Sequence, residues 1–426
     1  MNSILTLSII SLFLQNLIGY LKFKKIINPI SLFTTIHFFH NWSFSLSRFF
    51  QDDMFWRAPL KVSYDSMFDV LSMNLVGSWA FFLIVIIFAK TKIFSKFFSI
   101  KNKEILINGY YFLTLAYLVR FILNFDPNVL YGANQALDSA SAFNPISKVF
   151  FFRIPLIITY IATKKISKWT LIRIVIFEFC LSFITFERKD LVYILSSFFL
   201  KFLMETKINI FSILKYITSI GLTFLFLMFI PIYRSFNYID KINDKIFETF
   251  SVIGEYGYTV FFYIFNLANS EGVQNWTYQL IQNGEMGLLF GKSYIQATIN
   301  MIVLRPFQGI TIQNWQAAYY FKSFAYSNVT NTGYDFSFAA EAILNFGLNF
   351  GFISFIMLGL VISYLYSNRN KSDFYSTLYL MTWPIMIIGF RTDSTSMLRL
   401  YSYIIVIFIL LYLSKNIKSE RGLNNV

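Results

Sequence analysis

The stretch NTGYDFSFAAEAILNFGLNFGFISFIMLGLVISYLY, residues 331–366, combines a long apolar run with charged residues. Its charged residues are Asp335 near the start and Glu341 further in. A run of about 20 apolar residues is what an α-helix needs to cross the hydrocarbon core of a bilayer. A carboxylate inside such a run costs several kcal/mol unless it faces a cavity or a partner. The stretch therefore predicts a membrane helix with a polar residue of functional interest at position 341.

The whole chain has the composition of a polytopic membrane protein. Of its 426 residues, 56% are hydrophobic and 14% are charged, and the mean hydropathy is +0.56. A soluble domain of this size does not need so much apolar surface. The net charge is +14, but the basic residues lie in short loops on one predicted side of the membrane, so no nucleic-acid partner is predicted. A single cysteine excludes an intramolecular disulfide.

Apolar runs of roughly 18 to 22 residues predict about eleven transmembrane helices. They lie near residues 3–20, 28–47, 70–89, 105–124, 146–163, 169–186, 190–205, 211–231, 336–366, 375–390 and 397–414. We therefore expect an all-α, polytopic membrane protein in which residues 1–426 form a single integral membrane domain.

The charges of the predicted loops alternate along the chain. Lysines at 22–25 follow the first predicted span, acidic residues at 52–69 follow the second, and lysines at 90–103 follow the third. Because basic loops stay in the cytoplasm, the pattern predicts an N-terminus outside the membrane and a cytoplasmic C-terminus. An odd number of spans agrees with both ends.

One large loop, residues 233–335, is predicted to lie on the extracytoplasmic side. It is rich in Asn, Gln, Tyr, Trp and Gly, and a loop of this length is usually functional. Segments near 256–268 and 286–304 are apolar but short and mixed in composition. The sequence leaves open whether they span the membrane or lie at its interface.

Arginines are the most informative charges on this outer boundary. Five of them are predicted to lie there: Arg188, Arg234, Arg305, Arg391 and Arg399. The planar guanidinium fork binds phosphate and carboxylate well, so a converging group suits a diphosphate head group. Taken singly, each arginine has the simpler explanation of a snorkelling anchor at a helix end.

Two of these arginines also have acidic neighbours in the sequence. Arg188 can pair with Asp190 or with Glu187, and Arg391 can pair with Asp393. Local ion pairs of this kind are an alternative to a shared diphosphate site.

Glu341 is predicted to lie on a polar stripe of its helix. Six residues at 1.5 Å per residue put it roughly 9 Å below the start of the span. Ser337, Glu341 and Asn345 share one face. Gly347 and Gly351 lie nearly opposite, where another helix can approach closely. Glu341 then either lines a polar site or pairs with one of the arginines, and the two roles are compatible.

Metal and cofactor sites are not predicted. His37 and His40 are three residues apart on the second predicted span, without a third ligand nearby in sequence, so packed and hydrogen-bonded histidines are the favoured interpretation. The sequence contains no Gly-rich phosphate loop, nucleophile elbow or His-Glu-x-x-His motif.

Several segments resemble one bacterial family. GKSYIQATINMIVLRPFQG (291–309) and FSFAAEAILNFGLNFGFISFIMLG (336–359) are similar to the loop and the Glu-x-x-x-Asn-Phe-Gly segments of oligosaccharide repeat unit polymerases, the Wzy-type polymerases of O-antigen and capsular polysaccharide. The arginines of FERKDL (186–191) and GFRTDS (389–394) also fall where that family has them. The resemblance covers mainly the C-terminal half, and the first 170 residues resemble the family in topology only.

The resemblance implies a membrane glycosyltransferase of the bacterial cytoplasmic membrane. Such enzymes transfer a growing glycan from undecaprenyl diphosphate to a new lipid-linked repeat unit at the outer leaflet. It implies catalytic roles for Glu341, Arg305 and Arg391 and diphosphate binding by Arg188, Arg234 and Arg399. We expect Glu341 to act either as the base for the attacking hydroxyl or as the residue that orients an arginine. No cofactor is implied. The partners are undecaprenyl-diphosphate-linked glycans and membrane lipid, with a chain-length regulator and a flippase as further candidates.

Two other classes of protein remain as alternatives. An O-antigen ligase shares the outer loop and the lipid diphosphate donor, but ligases usually carry a histidine in that loop, and here both histidines lie in the second predicted span. A flippase or other transporter of lipid-linked oligosaccharides would need charged or broken helices near the membrane centre, or an internal repeat. The sequence predicts neither feature, so both alternatives are disfavoured.

Overall fold

The computed structural model describes eleven stretches of the chain. They are residues 2–41, 64–89, 96–123, 149–163, 167–185, 189–205, 242–255, 270–302, 314–325, 336–389 and 393–421. Within them the chain is helical apart from one small sheet, which confirms the expected α-helical class.

Fifteen α-helices and two β-strands make up the described residues. In chain order they are α1 (Asn2–Phe23), α2 (Pro29–Asn41), α3 (Tyr64–Phe88), β1 (Lys96–Ile100), α4 (Glu104–Leu123), α5 (Arg153–Thr163), α6 (Lys168–Thr185), α7 (Lys189–Glu205), α8 (Ile242–Glu255), α9 (Ser270–Gln282), α10 (Lys292–Ile302), α11 (Ala317–Ala325), α12 (Phe338–Phe350), α13 (Phe352–Asn368), α14 (Asp373–Gly389), α15 (Ser394–Leu413) and β2 (Ile417–Arg421).

Three of the described helices are long and apolar enough to cross a membrane, which indicates a membrane protein. They contain Ser3–Phe23, Ser66–Phe88 and Glu104–Leu123, and α12 with α13 adds a fourth if this bent pair is one span. The prediction of about eleven spans is not confirmed. Helix α5 has 11 residues and α2 has 13, too few for the roughly 30 Å of hydrocarbon. The predicted span at 211–231 lies outside the described residues.

The chain divides into two compact units. The first comprises Met1–Lys101 and Phe265–Val426, and the second comprises Asn102–Ile264. Each unit contains at least one helix long enough to cross a membrane. The division therefore neither confirms nor contradicts the prediction that residues 1–426 form one integral membrane domain.

The first unit is organised around the packing of α13 against α3. A Cβ added at Gly77 would meet the Phe355 ring at 2.6 Å, and one added at Gly359 would meet Ile84 Cγ2 at 3.1 Å. Small residues at both points therefore allow the two helices to approach closely. Phe355 also lies against the ring of Phe33, with centroids 6.2 Å apart, so α2 joins the same core.

A two-stranded antiparallel sheet joins the segment before α4 to the tail. The register runs from Lys96 opposite Arg421 to Ile100 opposite Ile417. The sheet was not predicted from the sequence. It brings together two lysine-containing segments that the charge pattern had predicted to lie on the same, cytoplasmic side.

The second unit contains α4 to α8. Helix α4 packs on α5, and α7 packs on both α5 and α6. Leu106, Ile157, Ile161 and Ile194 are among its buried core residues. The apolar side chains of these helices face one another, as expected for an α-helical bundle.

The single continuous span expected at 336–366 is wrong. Gly347 has φ 68° and ψ −177°, and the helices on its two sides, α12 and α13, are bent by 119° relative to each other. Glycine tolerates this backbone conformation because it lacks a Cβ. Gly347 therefore breaks the helix, whereas Gly351 lies in close contact, since a Cβ there would meet Met73 Sδ at 3.0 Å.

Candidate functional site

The candidate site is built on the N-terminal half of α12. Ser337 caps this helix by accepting the N–H of Ala340 at 3.1 Å, a role for which serine is well suited. All eight residues from Phe338 to Asn345 are buried. Glu341 therefore lies in the first turns of a helix that enters the interior of the first unit.

Because the helix breaks at Gly347, the backbone carbonyls before the break lack the N–H partners that a continuous helix would provide. The carbonyls of Leu344 and Asn345 accept the N–H groups of Leu289 and Phe290, both at 3.0 Å. The segment before α10 is thus held by backbone hydrogen bonds to the broken end of α12. Unpaired carbonyls at a helix end need such partners when they are buried.

The Glu341 carboxylate connects three helices. Its Oε1 accepts the hydroxyls of Ser293 at 2.5 Å and Ser394 at 2.7 Å, and its Oε2 accepts the Ser394 N–H at 2.7 Å. The side chain is 0% exposed. Ser293 belongs to α10 and Ser394 begins α15, so one carboxylate joins both to α12. These donors are neutral, and no basic side chain in the described residues forms an ion pair with Glu341.

Asn345 extends the same network by one turn. Its Nδ2 donates to Ser293 Oγ at 2.7 Å and to the Glu341 carbonyl at 2.9 Å, and its Oδ1 accepts the Gly291 N–H at 3.0 Å. Of the predicted polar stripe, Glu341 and Asn345 share a face and both contact Ser293, whereas Ser337 caps the helix and accepts a hydrogen bond from Gln274; all three residues are buried. Glu341 and Asn345 face α10 rather than lipid.

A second buried carboxylate, Asp393, lies near Glu341. Its Oδ2 accepts Gln316 Nε2 at 3.0 Å and the Ala318 N–H at 3.3 Å. It is close enough for its charge to act on Glu341. From the sequence, Asp393 was predicted only as a partner for Arg391, and its contacts with Gln316 and Ala318 were not predicted.

Tyr294 closes the site on the side of α13. Its hydroxyl donates to Ser354 Oγ at 2.7 Å, and its ring stacks on Phe346 with centroids 6.1 Å apart. Burial raises the pKa of Tyr294 well above its usual value, and the charge of Glu341 raises it further. Tyr294 therefore stays a neutral hydrogen-bond donor.

A second polar network reaches the same helix cap from α2, α3 and α9. His37 Nε2 lies 3.2 Å from the Asn74 carbonyl, and its Nδ1 lies 2.6 Å from Asn41 Nδ2. These partners require Nε2 to donate and Nδ1 to accept. Gln274 Nε2 donates to Asn41 Oδ1 at 2.5 Å and to Ser337 Oγ at 3.3 Å.

The favoured interpretation of the histidines as packed, hydrogen-bonded residues is confirmed. His40 Nε2 also has a partner, the Ile387 carbonyl at 3.0 Å. Asn41, Asn74 and Gln274 were not predicted from the sequence. The available signal was their position: Asn41 follows His37 by one helical turn, and Asn74 interrupts an apolar run.

A third polar cluster lies within the second unit. Arg153 Nη1 donates to Glu178 Oε1 at 2.6 Å, and its Nη2 forms a short ion pair with Asp190. The Tyr110 hydroxyl also donates to Glu178 Oε1 at 2.6 Å. The Arg153 guanidinium lies over the Tyr117 ring, 5.3 Å from its centroid. Neither Arg153 nor Glu178 was singled out in the sequence, and Asp190 was considered only beside Arg188.

The structure describes two of the six predicted site residues, Glu341 and Arg399. Glu341 is at the centre of the network around α12. Arg399 lies on an exposed position of α15, and it is not among the hydrogen-bond donors to Glu341. The other four, Arg188, Arg234, Arg305 and Arg391, lie outside the described residues. Convergence of the arginines therefore stays a prediction.

Of the two segments whose membrane placement the sequence left open, the structure describes only part of the second. Residues 256–268 lie outside the described part of the chain. The described part of 286–304 contains α10, which has 11 residues and is too short to cross a bilayer as one helix.

Within the described ranges, no group of three or more His, Cys, Asp or Glu residues is placed to hold a metal ion. No family model, no curated protein and no solved structure matches the chain. The resemblance to repeat unit polymerases therefore rests on the quoted motifs alone.

Proposed function

We propose that this chain is a membrane glycosyltransferase that polymerises undecaprenyl-diphosphate-linked oligosaccharide repeat units into O-antigen or capsular polysaccharide. One observation carries the proposal. The two segments that resemble the polymerase family are joined by hydrogen bonds. Ser293 donates to Glu341, Asn345 donates to Ser293, and the Gly291 N–H donates to Asn345. Motifs that are far apart in the sequence thus form one structural site, as residues of a shared active site would.

The proposed reaction is glycosyl transfer with a lipid diphosphate as leaving group. A hydroxyl of the acceptor repeat unit attacks the anomeric carbon of the growing chain, and the bond from that carbon to the diphosphate oxygen breaks. The diphosphate leaves with the electron pair, and the hydroxyl proton passes to a base. Cationic groups stabilise the charge that develops on the diphosphate, and we assign this role to the predicted arginines.

Glu341 was predicted to act either as the base or as a residue that orients an arginine. Its full burial and its three neutral donors favour the orienting role. Ser394, which Glu341 holds by two hydrogen bonds, comes three residues after Arg391. We therefore propose that Glu341 fixes the start of α15 and, through it, the position at which Arg391 enters the site.

The polymer ladder of a deletion strain tests this function. We expect single repeat units without the gene and a full ladder after complementation. Glu341→Ala should give no ladder. Glu285→Gln is the matched control, because this exposed carboxylate lies in the same predicted loop, and it should restore the ladder. A full ladder in the deletion strain, or from Glu341→Ala, would overturn the proposal.

The proposed location is the bacterial cytoplasmic membrane, with residues 233–335 outside and the C-terminus in the cytoplasm. The pairing of β1 with β2 supports a common side for the 90–103 loop and the tail. Single cysteines at Glu285 and Lys415, in a Cys180→Ser background, test the arrangement. A membrane-impermeant maleimide should label the first in intact cells and the second only after lysis, and the reverse result would end the proposal.

A transporter of lipid-linked oligosaccharides is the second candidate, and one specific observation favours it. The break at Gly347 makes α12 and α13 a discontinuous helix pair beside buried polar residues, a feature of many transporter sites. The deletion strain separates the two functions. A polymerase defect leaves single repeats on the outer surface, whereas a transport defect leaves no outer product.

A further inference from the structure

The buried side of α10 is polar. Its buried side chains are Ser293, Gln296 and Ala297. Ser293 donates to Glu341 at 2.5 Å, and Gln296 Oε1 accepts the Thr395 hydroxyl at 2.6 Å. On the surface of a water-soluble protein, a helix buries its apolar side and exposes its polar side. The polarity of α10 is the opposite of that pattern.

The exposed side of the same helix is largely apolar. Ile295 is 53% exposed and Ile302 is 75% exposed, and Phe290, just before the helix, is 72% exposed. The two isoleucines are separated by about two helical turns, so they lie on one face. Single exposed isoleucines need no explanation. Here they share a face opposite a polar, hydrogen-bonded side, and that combination does need one.

The polar residues on the exposed side do not require water along the helix. The exposed Thr298 donates its hydroxyl to the Tyr294 carbonyl at 2.8 Å, so this group is satisfied within the helix, as polar groups beside lipid must be. Lys292 is exposed at the first position of α10. The exposed side of α10 is therefore compatible with hydrocarbon beyond its first turn.

Lys292 also marks one end of α10 as close to lipid headgroups. Its Nζ lies 5.8 Å from the centroid of the Trp315 ring. Tryptophan is enriched at the boundary between hydrocarbon and headgroups, and a lysine there reaches water with its ammonium group. The helix has 11 residues, about 16 Å, so it cannot cross a bilayer from that boundary.

We propose that α10 is a membrane-interface helix whose exposed side, formed by Phe290, Ile295 and Ile302, is covered by lipid acyl chains just below the headgroups. The unit that contains α10 also contains helices long and apolar enough to cross a membrane. Lipid fits this side better than a glycan does, because a sugar needs hydrogen-bond partners as well as an apolar surface. Beyond Lys292 the exposed side offers only the Thr298 hydroxyl, which already donates within the helix.

The placement of α10 gives the network around Glu341 a depth in the membrane. Ser293 and Ile295 lie in the same turn, so Glu341 lies about one helix diameter, roughly 10 Å, from the lipid. Under the proposed function, this is the depth at which a lipid-borne diphosphate lies. The placement itself does not depend on the proposed reaction and is tested without it.

Spin labels on single cysteines, in a Cys180→Ser background of the intact chain in lipid nanodiscs, test the placement. Ile295→Cys and Ile302→Cys report on the exposed side of α10. Phe13→Cys, exposed at the middle of the first apolar helix, is the lipid reference. The exposed Glu285→Cys is the water reference. The rates at which each label collides with O₂, which concentrates in hydrocarbon, and with a water-soluble nickel complex are measured.

We expect both labels on α10 to collide mainly with O₂ and to lie about 5–10 Å below the headgroup boundary, the depth of an interfacial helix. Phe13→Cys should lie near the bilayer centre, about 15 Å deep. Glu285→Cys should collide mainly with the nickel complex. Thr298→Cys, on the same side of α10, should agree with the two isoleucine positions and shows whether either of those labels disturbs the helix.

Three outcomes would overturn the proposal. Nickel collisions like those of Glu285→Cys would show that the exposed side of α10 faces water and is open to a glycan. Slow collisions with both reagents would show that protein, such as a second copy of the chain, covers it. Collisions mainly with O₂ at the depth of Phe13→Cys would show that α10 enters the membrane centre instead of lying at the interface.

Discussion

Glu341 in the first unit and Glu178 in the second are both buried carboxylates, and their partners differ. Glu341 accepts two serine hydroxyls and one backbone N–H. Glu178 accepts a guanidinium and a phenol. Burial removes the water around each carboxylate. Neutral hydrogen-bond donors offset this loss at Glu341, and the positive charge of Arg153 is the main compensation at Glu178.

Because their partners differ, the two carboxylates should respond differently to substitution. A neutral network loses one modest interaction at a time, because each hydrogen bond contributes about 0.5–1.5 kcal/mol net. A buried ion pair is less tolerant, because removing one partner leaves the other as an uncompensated charge. We therefore expect the second unit to be more sensitive to a single substitution, although Glu341 is the better connected residue.

Replacing Arg153 with Met should have the largest effect on stability. We expect the free energy of unfolding to fall by about 3–5 kcal/mol, the cost of leaving a buried charge without its partner. Denaturant titration in detergent micelles measures this change. Arg153→Met combined with Glu178→Leu should recover much of the loss, since the carboxylate that then lacks its partner is Asp190, which is 18% exposed. A cost below about 1 kcal/mol for Arg153→Met would abolish the proposed difference between the two sites.

Glu341→Gln should have the next largest effect. The amide keeps one acceptor oxygen, but its NH₂ group faces donors that the carboxylate had satisfied. We expect a loss of about 2–3 kcal/mol, in the upper part of the range for unsatisfied buried polar groups. The same titration, with Glu285→Gln as the exposed control, checks the value. Equal stability of the two variants would mean that the serine network does not depend on the carboxylate.

Gly347→Ala tests the helix break that supports the neutral network. An added Cβ would meet only Leu288 Cδ1, at 4.0 Å, so the cost comes from the backbone conformation and should be about 1–3 kcal/mol. Gly254→Ala is the control, since nothing lies within 4 Å of its added Cβ and its φ is not positive. That variant should be as stable as the wild type or slightly more stable in thermal melts. Similar melting temperatures for both alanine variants would contradict the strained conformation at Gly347.

Arg399→Ala should have the smallest effect on stability. The side chain is exposed on α15, so we expect a change within about 0.5 kcal/mol. Its predicted contact with diphosphate should nevertheless weaken binding of undecaprenyl diphosphate, measured in nanodiscs. Lys415→Ala, at another exposed position, should leave binding unchanged. If Arg399→Ala binds undecaprenyl diphosphate as tightly as the wild type, Arg399 is a helix-end anchor and not a diphosphate ligand.

Local patterns in the sequence were sufficient for several conclusions. Runs of apolar residues predicted helices, because hydropathy and the requirement for satisfied backbone hydrogen bonds act along one segment. The stripe of Ser337, Glu341 and Asn345 followed from the 3.6-residue period of the helix. The number of spans did not follow, because an apolar run does not reveal whether its helix is long, short or broken.

The amino-acid sequence was sufficient to predict a helical, apolar chain typical of a membrane protein, with a carboxylate at position 341 inside an apolar segment. The partners of that carboxylate became known only from the folded chain, because they lie 48 and 53 residues away in the sequence. It also showed that Arg153 pairs with Asp190, and that the helix breaks at Gly347. The physical reason is that burial is decided within one segment by its composition, whereas the partner of a buried polar group depends on which distant segments pack beside it.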